Sequence, residues 1–187
     1  RKDMTIKKLS PNHGVEGTRI MVVGTHFVDS NSTQCLFLDE SSGDSTVDFP
    51  VYINNTHAQC IAPARKDSFT MRLYMSFNKQ IHSEMDFAFF TYDDPVLIQD
   101  FYPRSGSTNG GYYLEIFGQG FQNKTDLSCK LGSLSGIAYF VSVEKILCKV
   151  PQHVEGLVDI FVSNNGQQYF THHHPFLYYQ DIDIIHL

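Results

Sequence analysis

The chain is short of positive charge. Fourteen Lys and Arg residues stand against 20 Asp and Glu, which gives a net charge of −6 over 187 residues. No run of basic residues stands out along the sequence. A nucleic-acid-binding surface needs a basic patch, so the composition predicts that nucleic acid is not a partner.

Long apolar runs and targeting signals are also missing. The longest apolar segments, such as "FAFF" at 87–90, are far too short to cross a bilayer. The chain begins with "RKDMTIKKL", which has no signal-peptide pattern and no initiator methionine. We therefore expect an internal piece of a longer protein, with no direct membrane insertion by this piece.

Local catalytic motifs are absent as well. The nearest string to a G-x-S-x-G elbow, "GSLSG" at 132–136, has its serines misplaced, and no H-E-x-x-H occurs. The segment "GQGFQNK" lacks the third glycine of a dinucleotide-binding loop, and no amphipathic helix follows it. The sequence predicts no enzyme activity and no cofactor.

What the chain does contain is an internal repeat of about 90 residues. From Pro11, and again from Pro103, the same landmarks follow in the same order. They are Pro-x-x-Gly, a second glycine, an apolar strand, Gly-x-x-Phe, a cysteine, Cys-x-x-Pro and a closing aromatic run. The strands are "TRIMVV" and "YYLEIF", and the closing runs are "FAFFTY" and "HPFLYY".

The repeat predicts two tandem domains, residues 1–94 and 95–181. An Ile-x-x-Leu or Ile-x-x-Phe segment precedes each repeat's opening proline, and the chain ends on the same pattern at Ile184 and Leu187. Residues 182–187 are therefore expected to begin a third repeat or to form a linker.

Each repeat has the pattern of an all-β sandwich. Short runs of β-branched and aromatic residues are separated by Gly, Pro, Asn, Asp and Ser, which predicts about seven strands per repeat. In "YYLEIF" the alternation places Leu114 and Ile116 on one face and Tyr113 and Phe117 on the other. The pattern leaves open which face packs in the core.

The glycines fit turns and irregularities of such strands. Gly110 and Gly111 are expected to turn the chain into the strand, and the Gly118–Gly120 segment is expected to form a β-bulge before Phe121. Asn165-Gly166 predicts a hairpin turn.

The glycine-rich strand, the cysteine after it and the Cys-x-x-Pro segment together resemble an IPT/TIG domain. The second repeat carries the pattern as "PRSGSTNGGYYLEIFGQGF" and the first as "PNHGVEGTRIMVVGTHF". The resemblance covers nearly the whole chain and implies two tandem immunoglobulin-like (E-set) β-sandwiches. Such domains occur in plexins, scatter-factor receptors and slime-mould allorecognition receptors, and also in some transcription factors and secreted carbohydrate-active enzymes. A fold hosts many functions, so the resemblance leaves the function open.

The four cysteines permit three pairings. One pair per repeat favours Cys35 with Cys60 and Cys129 with Cys148, and the resemblance to cysteine-bearing receptor IPT/TIG domains implies the same disulfides. Buried free thiols in a cytosolic protein are the alternative. No two cysteines have the close spacing of a zinc knuckle.

Three Asn-x-Thr sequons predict N-glycosylation at Asn31, Asn54 and Asn123. Paired cysteines and sequons together predict an extracellular or secretory-lumen location. We expect the ectodomain of a single-pass membrane protein.

Two groups of residues raise the question of a metal. In "THHHP" the side chains of His172 and His174 could share an ion, but a polar strand edge or loop is the simpler interpretation. Scattered histidines such as His13 are expected at the surface. Aspartates at the domain ends could bind calcium, although solvated linker charges are the simpler interpretation. These are Asp93, Asp94, Asp100, Asp181 and Asp183.

The leading hypothesis is an extracellular protein-recognition module of a cell-surface adhesion or recognition receptor that binds another protein, with an identical or related cell-surface molecule as one candidate partner. Tyr113 and Phe117 are the candidate contact residues, since they lie opposite Leu114 and Ile116. One alternative is a spacer in a long tandem-repeat ectodomain, which the short, Pro95-stiffened junction would suit. The other is a carbohydrate-contacting accessory module of a secreted enzyme.

Overall fold

Every regular element of the protein is a β-strand. The computed structural model describes residues 4–64, 69–76 and 86–181, and these ranges contain no helix. No helix that is long and apolar enough to cross a membrane is therefore found there. The all-β prediction is confirmed. The chain divides into two compact units, Arg1–Asp94 and Pro95–Leu187, and the predicted start of a third repeat at 182–187 lies outside the described residues.

The first unit pairs a four-stranded sheet, in the order β1-β3-β7-β6, with a five-stranded sheet, in the order β2-β9-β8-β4-β5. Its strands are β1 Thr5–Ser10, β2 His13–Gly14, β3 Arg19–Thr25, β4 Gln34–Leu38, β5 Ser45–Asp48, β6 Val51–Asn54, β7 His57–Ile61, β8 Thr70–Ser76 and β9 Phe87–Tyr92.

The second unit repeats this arrangement with one more strand. Its strands are β10 Leu97–Tyr102, β11 Ser105–Ser107, β12 Tyr113–Gln119, β13 Ser128–Leu131, β14 Leu134–Ser142, β15 Lys145–Lys149, β16 Gly156–Val158, β17 Ile160–Ser163, β18 Phe170–Thr171 and β19 Phe176–Tyr179. The sheet orders are β10-β12-β15-β14-β13-β17-β18 and β11-β19-β16.

Strand β14 explains why seven second-unit strands form one continuous ladder. Its first residues pair with β13, and its later residues, from Ile137, pair with β15. In the first unit the corresponding chain is divided into β5 and β6 by Phe49 and Pro50, and the two pieces pair with different sheets. Pro50 lacks the N–H that a continuous ladder would use, which suits this break.

One apolar core fills each unit. Alternate residues of the predicted strands point into it, so that Ile20 and Val22 of β3 and Leu114 and Ile116 of β12 have no exposed surface. The face of β12 that packs in the core is therefore the one that carries Leu114.

The repeated Gly-x-x-Phe marks a close approach of two strands. A Cβ on Gly24 would lie 1.9 Å from the Thr5 carbonyl oxygen, and a Cβ on Gly118 would lie 2.0 Å from the Leu97 carbonyl oxygen. The register shifts between Ile98 and Asp100, so the β-bulge lies in β10, opposite Gly118. The prediction of a bulge at Gly118–Gly120 is wrong, because β12 continues as a regular strand to Gln119 while its partner contains the extra residue.

The repeated Cys-x-x-Pro is held by a tyrosine from the closing aromatic run. Tyr92 donates its hydroxyl to the Pro63 carbonyl and Tyr178 donates to the Pro151 carbonyl, each at 2.9 Å. Burial raises the pKa of Tyr178 above that of a free tyrosine, so the hydroxyl keeps its proton for this bond. The two hydrogen bonds join the last strand of each unit to the segment after β7 or β15.

Two details of the prediction need correction. His13 is buried rather than exposed, because its Nδ1–H bonds the Asp93 carboxylate at 2.6 Å at the end of the same unit. Asn165-Gly166 is not a two-residue turn. The β17–β18 pair is joined by residues 164–169, and the Asn165 side chain accepts the backbone N–H groups of Gln167 and Gln168.

Candidate recognition surface

The outer face of the sheet β10-β12-β15-β14 in the second unit is unusually apolar. Residues on β12 alternate with the buried Leu114 and Ile116, and those on β14 alternate with Ala138 and Phe140, which pack against the core. We call the outward-facing apolar side chains of these four strands the aromatic face: Leu97, Tyr102, Tyr113, Phe117, Ile137, Tyr139, Val141 and Leu147.

The register of the strands makes these side chains neighbours. Glu115 pairs with Tyr102 on one side and with Leu147 on the other, and Leu147 pairs in turn with Tyr139. The rings of Tyr113 and Tyr139 meet edge to face, with centroids 5.8 Å apart. Such cross-strand contacts hold the rings in place, so that little side-chain entropy is left to lose on binding.

This face carries two ion pairs. Lys145 Nζ lies 3.0 Å from Glu115 Oε1 and 5.1 Å from the centre of the Phe117 ring. Asp100, which pairs with Phe117 across the strands, forms an ion pair with Arg104. Lys149, which lies between Tyr113 and Ile137 across the strands, is exposed and has no ion pair among the described residues. A second copy can therefore pack on this face where the two Lys149 side chains lie apart.

The first unit presents different side chains at the corresponding positions. The outer face of β1-β3-β7-β6 carries Lys7, Lys8, Arg19, Met21, Val23, Val51, Ile53, Gln59 and Ile61. None of these residues is aromatic, and the Arg72 guanidinium lies over the rings of Phe87 and Phe89 on the other sheet. The apolar outer face with three tyrosines is thus a feature of the second unit.

The two predicted contact residues lie on the aromatic face. Tyr113 is 48% exposed, whereas Phe117 is half-buried beneath Lys145. Sequence reasoning missed Tyr102, Ile137 and Tyr139, which are more exposed than Phe117. The signal was present in "IAYFV" at 137–141, but five consecutive apolar residues do not show which of them alternate outward.

Each pair of cysteines joins two strands of its unit that are not neighbours in a sheet. Cys35 of β4 is bonded to Cys60 of β7, and Cys129 of β13 is bonded to Cys148 of β15. All four residues are fully buried. Met75 lies against the first bridge, with its Sδ 4.0 and 3.9 Å from the two sulfur atoms.

The three sequon asparagines lie at exposed positions. Asn31 follows Phe27 in the loop before β4, and Asn123 follows Phe121 in the matching loop of the second unit. Asn54 ends β6, where its side-chain oxygen accepts hydrogen bonds from the backbone N–H and hydroxyl of Thr56.

His172 is a structural residue rather than a surface histidine. It is buried, and its Nδ1 accepts the His174 backbone N–H at 3.1 Å. The proton therefore sits on Nε2, which donates to the Gln99 carbonyl at 3.0 Å. Because Gln99 is the extra residue of the β10 bulge, His172 holds that bulge in place.

The structural role of His172 predicts different effects on stability when His172 and His174 are replaced. Replacing His172 with alanine should destabilise the second unit by about 2 kcal/mol, because the Gln99 carbonyl loses its donor and the buried ring that packs edge to face on Phe101 is removed. His174→Ala should change stability by less than about 0.5 kcal/mol, as exposed substitutions usually do. Urea unfolding of the two variants measures both. Equal effects, or an increase in melting temperature with added Zn²⁺ that both variants abolish, would instead support a shared metal.

Three of the aspartates considered for calcium, Asp93, Asp100 and Asp181, have other partners. Asp93 binds His13, and Asp181 accepts hydrogen bonds from Ser107 and Asn109. Asp183 lies outside the described residues. Over 4–64, 69–76 and 86–181, no group of three or more His, Cys, Asp or Glu residues is arranged to hold a metal ion.

Comparison with known proteins connects this geometry to a family. The family model described as IPT/TIG domain matches residues 4–89 and 95–178. Fibrocystin-L of Mus musculus is 29% identical over 127 residues, which is 66% of this chain but 3% of that protein.

Among solved structures, the full extracellular region of plexin A4, with domains 1 to 10, matches with a TM-score of 0.62 at 16% identity, over 96% of this chain and 16% of that one. A second plexin A4 structure, with domains 1 to 8, gives a TM-score of 0.56 at 15% identity, over 95% and 18%. These likenesses concern the fold, and the chain spans only a small part of each relative.

Proposed function

The chain belongs to the IPT/TIG domain family, and from that membership we propose that it is the protein-recognition part of an extracellular, single-pass cell-surface receptor. Its contact surface is the aromatic face of the second unit. Its partner is a second copy of the same chain, presented by a neighbouring cell or molecule.

One observation carries the proposal: the aromatic face holds three exposed tyrosines beside exposed Ile137 and Val141. Contact surfaces are enriched in tyrosine, and the residues that contribute most to binding are rigid aromatic side chains near the centre of a patch. A sheet that served only to cover a core would more often alternate apolar inward residues with polar outward ones.

The choice of a second copy as partner follows from charge. The Lys145–Glu115 and Arg104–Asp100 pairs neutralise four of the charges beside the apolar side chains, and Lys149 is the exposed cation that remains. Two such faces can pack about a two-fold axis that does not pass through Lys149, because each residue off the axis then contacts a different part of the same patch.

Two features support the extracellular location. Each unit has a buried disulfide, and disulfides form and persist mainly in oxidising compartments. Three sequons lie at exposed positions, where a glycan can be attached without disturbing a core.

Bead aggregation tests the proposal. Beads that carry many copies of the chain should aggregate, because multivalency strengthens a weak contact by about 10²- to 10⁴-fold. Tyr139→Lys should reduce aggregation at least about tenfold, the effect of losing one hot-spot residue. The matched control is Val51→Lys, since Val51 pairs with Gln59 as Tyr139 pairs with Leu147.

The Val51→Lys control distinguishes specific contact through the aromatic face from non-specific aggregation. If Val51→Lys reduces aggregation as strongly as Tyr139→Lys, the aromatic face is not the contact surface. If wild-type beads stay dispersed and the chain sediments as a monomer at high concentration, self-recognition is wrong, and a spacer role becomes the better interpretation.

A further inference from the structure

A cleft in the first unit opens beside one of the sequons. Its volume is about 330 Å³, within the range of pockets that hold small ligands. The lining is largely apolar and is formed by two separated segments, residues 27–33 and 49–52, with Ala58 and Met75 at the base. Asn31, the sequon asparagine, is one of the lining residues.

The aromatic residue Phe49 remains largely uncovered beside this cleft. Its side chain is 64% exposed, although it lies next to Pro50 and in the same cleft as Phe27, which is buried. Tyr52 and Val28 line the same cleft and are each more than a third exposed. An apolar wall left open in this way suits an occupant with an apolar face of its own.

Hydrogen bonds within the loop hold Asn31 at the cleft. The Thr33 hydroxyl donates to the Val28 carbonyl at 3.1 Å, and the Thr33 backbone N–H donates to the Ser30 carbonyl at 2.9 Å. The loop is thereby closed on both sides of Asn31, whose side chain stays exposed. The anchor point of a glycan on this residue is fixed within reach of Phe49.

We propose that the cleft is an intramolecular carbohydrate site, occupied by the first N-acetylglucosamine of a glycan attached to Asn31. The C–H face of the sugar ring packs on Phe49 and Tyr52, and Asp29 and Ser30 lie at the rim as partners for its hydroxyl and amide groups. The glycan then stabilises the first unit by covering apolar surface, because the attachment has already brought the sugar to the site.

Asn123 provides a matched comparison within the same chain. It occupies the corresponding loop of the second unit, four residues before Leu127 and two residues after the buried Phe121. Different hydrogen bonds hold that loop in place. The side chain of Asn164 accepts a hydrogen bond from the Gln122 backbone N–H and donates one to the Gly120 carbonyl. A glycan on Asn123 is expected to have little effect on stability.

The test uses the full chain secreted from a eukaryotic host, with occupancy of each sequon measured by mass spectrometry. When the host adds high-mannose glycans, endoglycosidase H leaves one N-acetylglucosamine on each occupied asparagine and should preserve the melting temperature of the first unit. Asn31→Gln, which carries no sugar, should lower it by about 3 °C, the size of shift that one packing contact produces in a domain of this length. Asn123→Gln should leave both melting temperatures nearly unchanged.

A double-mutant cycle identifies the contact. In Phe49→Ser, loss of the Asn31 glycan should no longer lower the melting temperature, because the ring on which the sugar packs is gone. Release of the Asn31 glycan by PNGase F under native conditions should be slower than release at Asn123, and Phe49→Ser should remove that difference. Phe49 is largely exposed, so this variant is expected to fold.

Three results would overturn the inference: an unoccupied Asn31 beside an occupied Asn123, an Asn31→Gln effect that persists in Phe49→Ser, or equal effects of Asn31→Gln and Asn123→Gln. The inference rests on passage of the chain through the secretory pathway. Absence of glycan from all three sequons would contradict that location as well, whereas the bead experiment can fail without affecting the glycan measurements.

Discussion

Gly118→Ala is expected to destabilise the second unit by about 3 kcal/mol or more, enough to unfold much of a small domain. The added Cβ would lie 2.0 Å from the Leu97 carbonyl oxygen and 3.0 Å from the Phe121 ring. The oxygen belongs to the backbone of β10 beside its bulge, so it cannot move aside without breaking the β10–β12 ladder. Gly24→Ala should have the same effect on the first unit, because the Thr5 carbonyl oxygen occupies the equivalent position.

Gly111→Ala is the control for a glycine that has space around it. Gly111 has φ +85° and no atom within 4 Å of an added Cβ, so its replacement costs only the left-handed backbone strain, about 1–2 kcal/mol. Urea unfolding of the wild type, Gly118→Ala and Gly111→Ala measures the differences in the free energy of unfolding. A Gly118→Ala effect no larger than that of Gly111→Ala would show that the two strands separate easily, and would contradict the close approach inferred here.

The repeated residues of the sequence were sufficient to predict the framework. Each repeated residue has a structural role within its own unit. The glycine lies against the carbonyl of a neighbouring strand, the phenylalanine packs in the core, and the proline carbonyl accepts a hydrogen bond from a tyrosine hydroxyl. Because the same task occurs twice, the same residue type recurs at the same spacing. Repetition therefore predicted the tandem arrangement, and the short β-branched and aromatic runs within each repeat predicted the all-β class.

Features that depend on a distant strand could not be predicted. The bulge opposite Gly118 lies in β10, about 20 residues earlier in the chain, and nothing in "GQGF" indicates which strand contains the extra residue. His13 and His172 are buried because Asp93 and the Gln99 carbonyl, each more than 70 residues away, receive their hydrogen bonds. Sequence alone shows a histidine and leaves its partner unknown.

The candidate site is formed by residues that the repeat does not share. Tyr113 and Phe117 correspond in register to Arg19 and Val23, and Tyr139 corresponds to Val51. None of these outward-facing residues is needed by the core, so each unit can present its own surface on the same framework. Comparing the outward-facing residues at corresponding positions of the two units thus identifies the surface that is specific to one of them.

Removing either disulfide is expected to destabilise its unit by about 3 kcal/mol, since each bridge restricts a loop of similar length in the unfolded chain. The bridges span sequence separations of 25 and 19 residues, so the double variants Cys35→Ala with Cys60→Ala and Cys129→Ala with Cys148→Ala should lose nearly equal amounts. Alanine leaves a small cavity in each core, because all four sulfur atoms are buried, and this adds to the loss.

Two measurements separate the contribution of the bond from that of the cavity. Urea unfolding of each double variant gives the total loss, and reduction of the wild-type chain in urea gives the loss from the bond alone, since the sulfur atoms remain. Under native conditions the bridges should resist dithiothreitol, because a thiolate cannot reach a fully buried sulfur atom until the unit opens. Rapid reduction of the native chain would contradict the burial of the sulfur atoms, and an unchanged urea midpoint in both double variants would show that the bridges add little to the stability of these units.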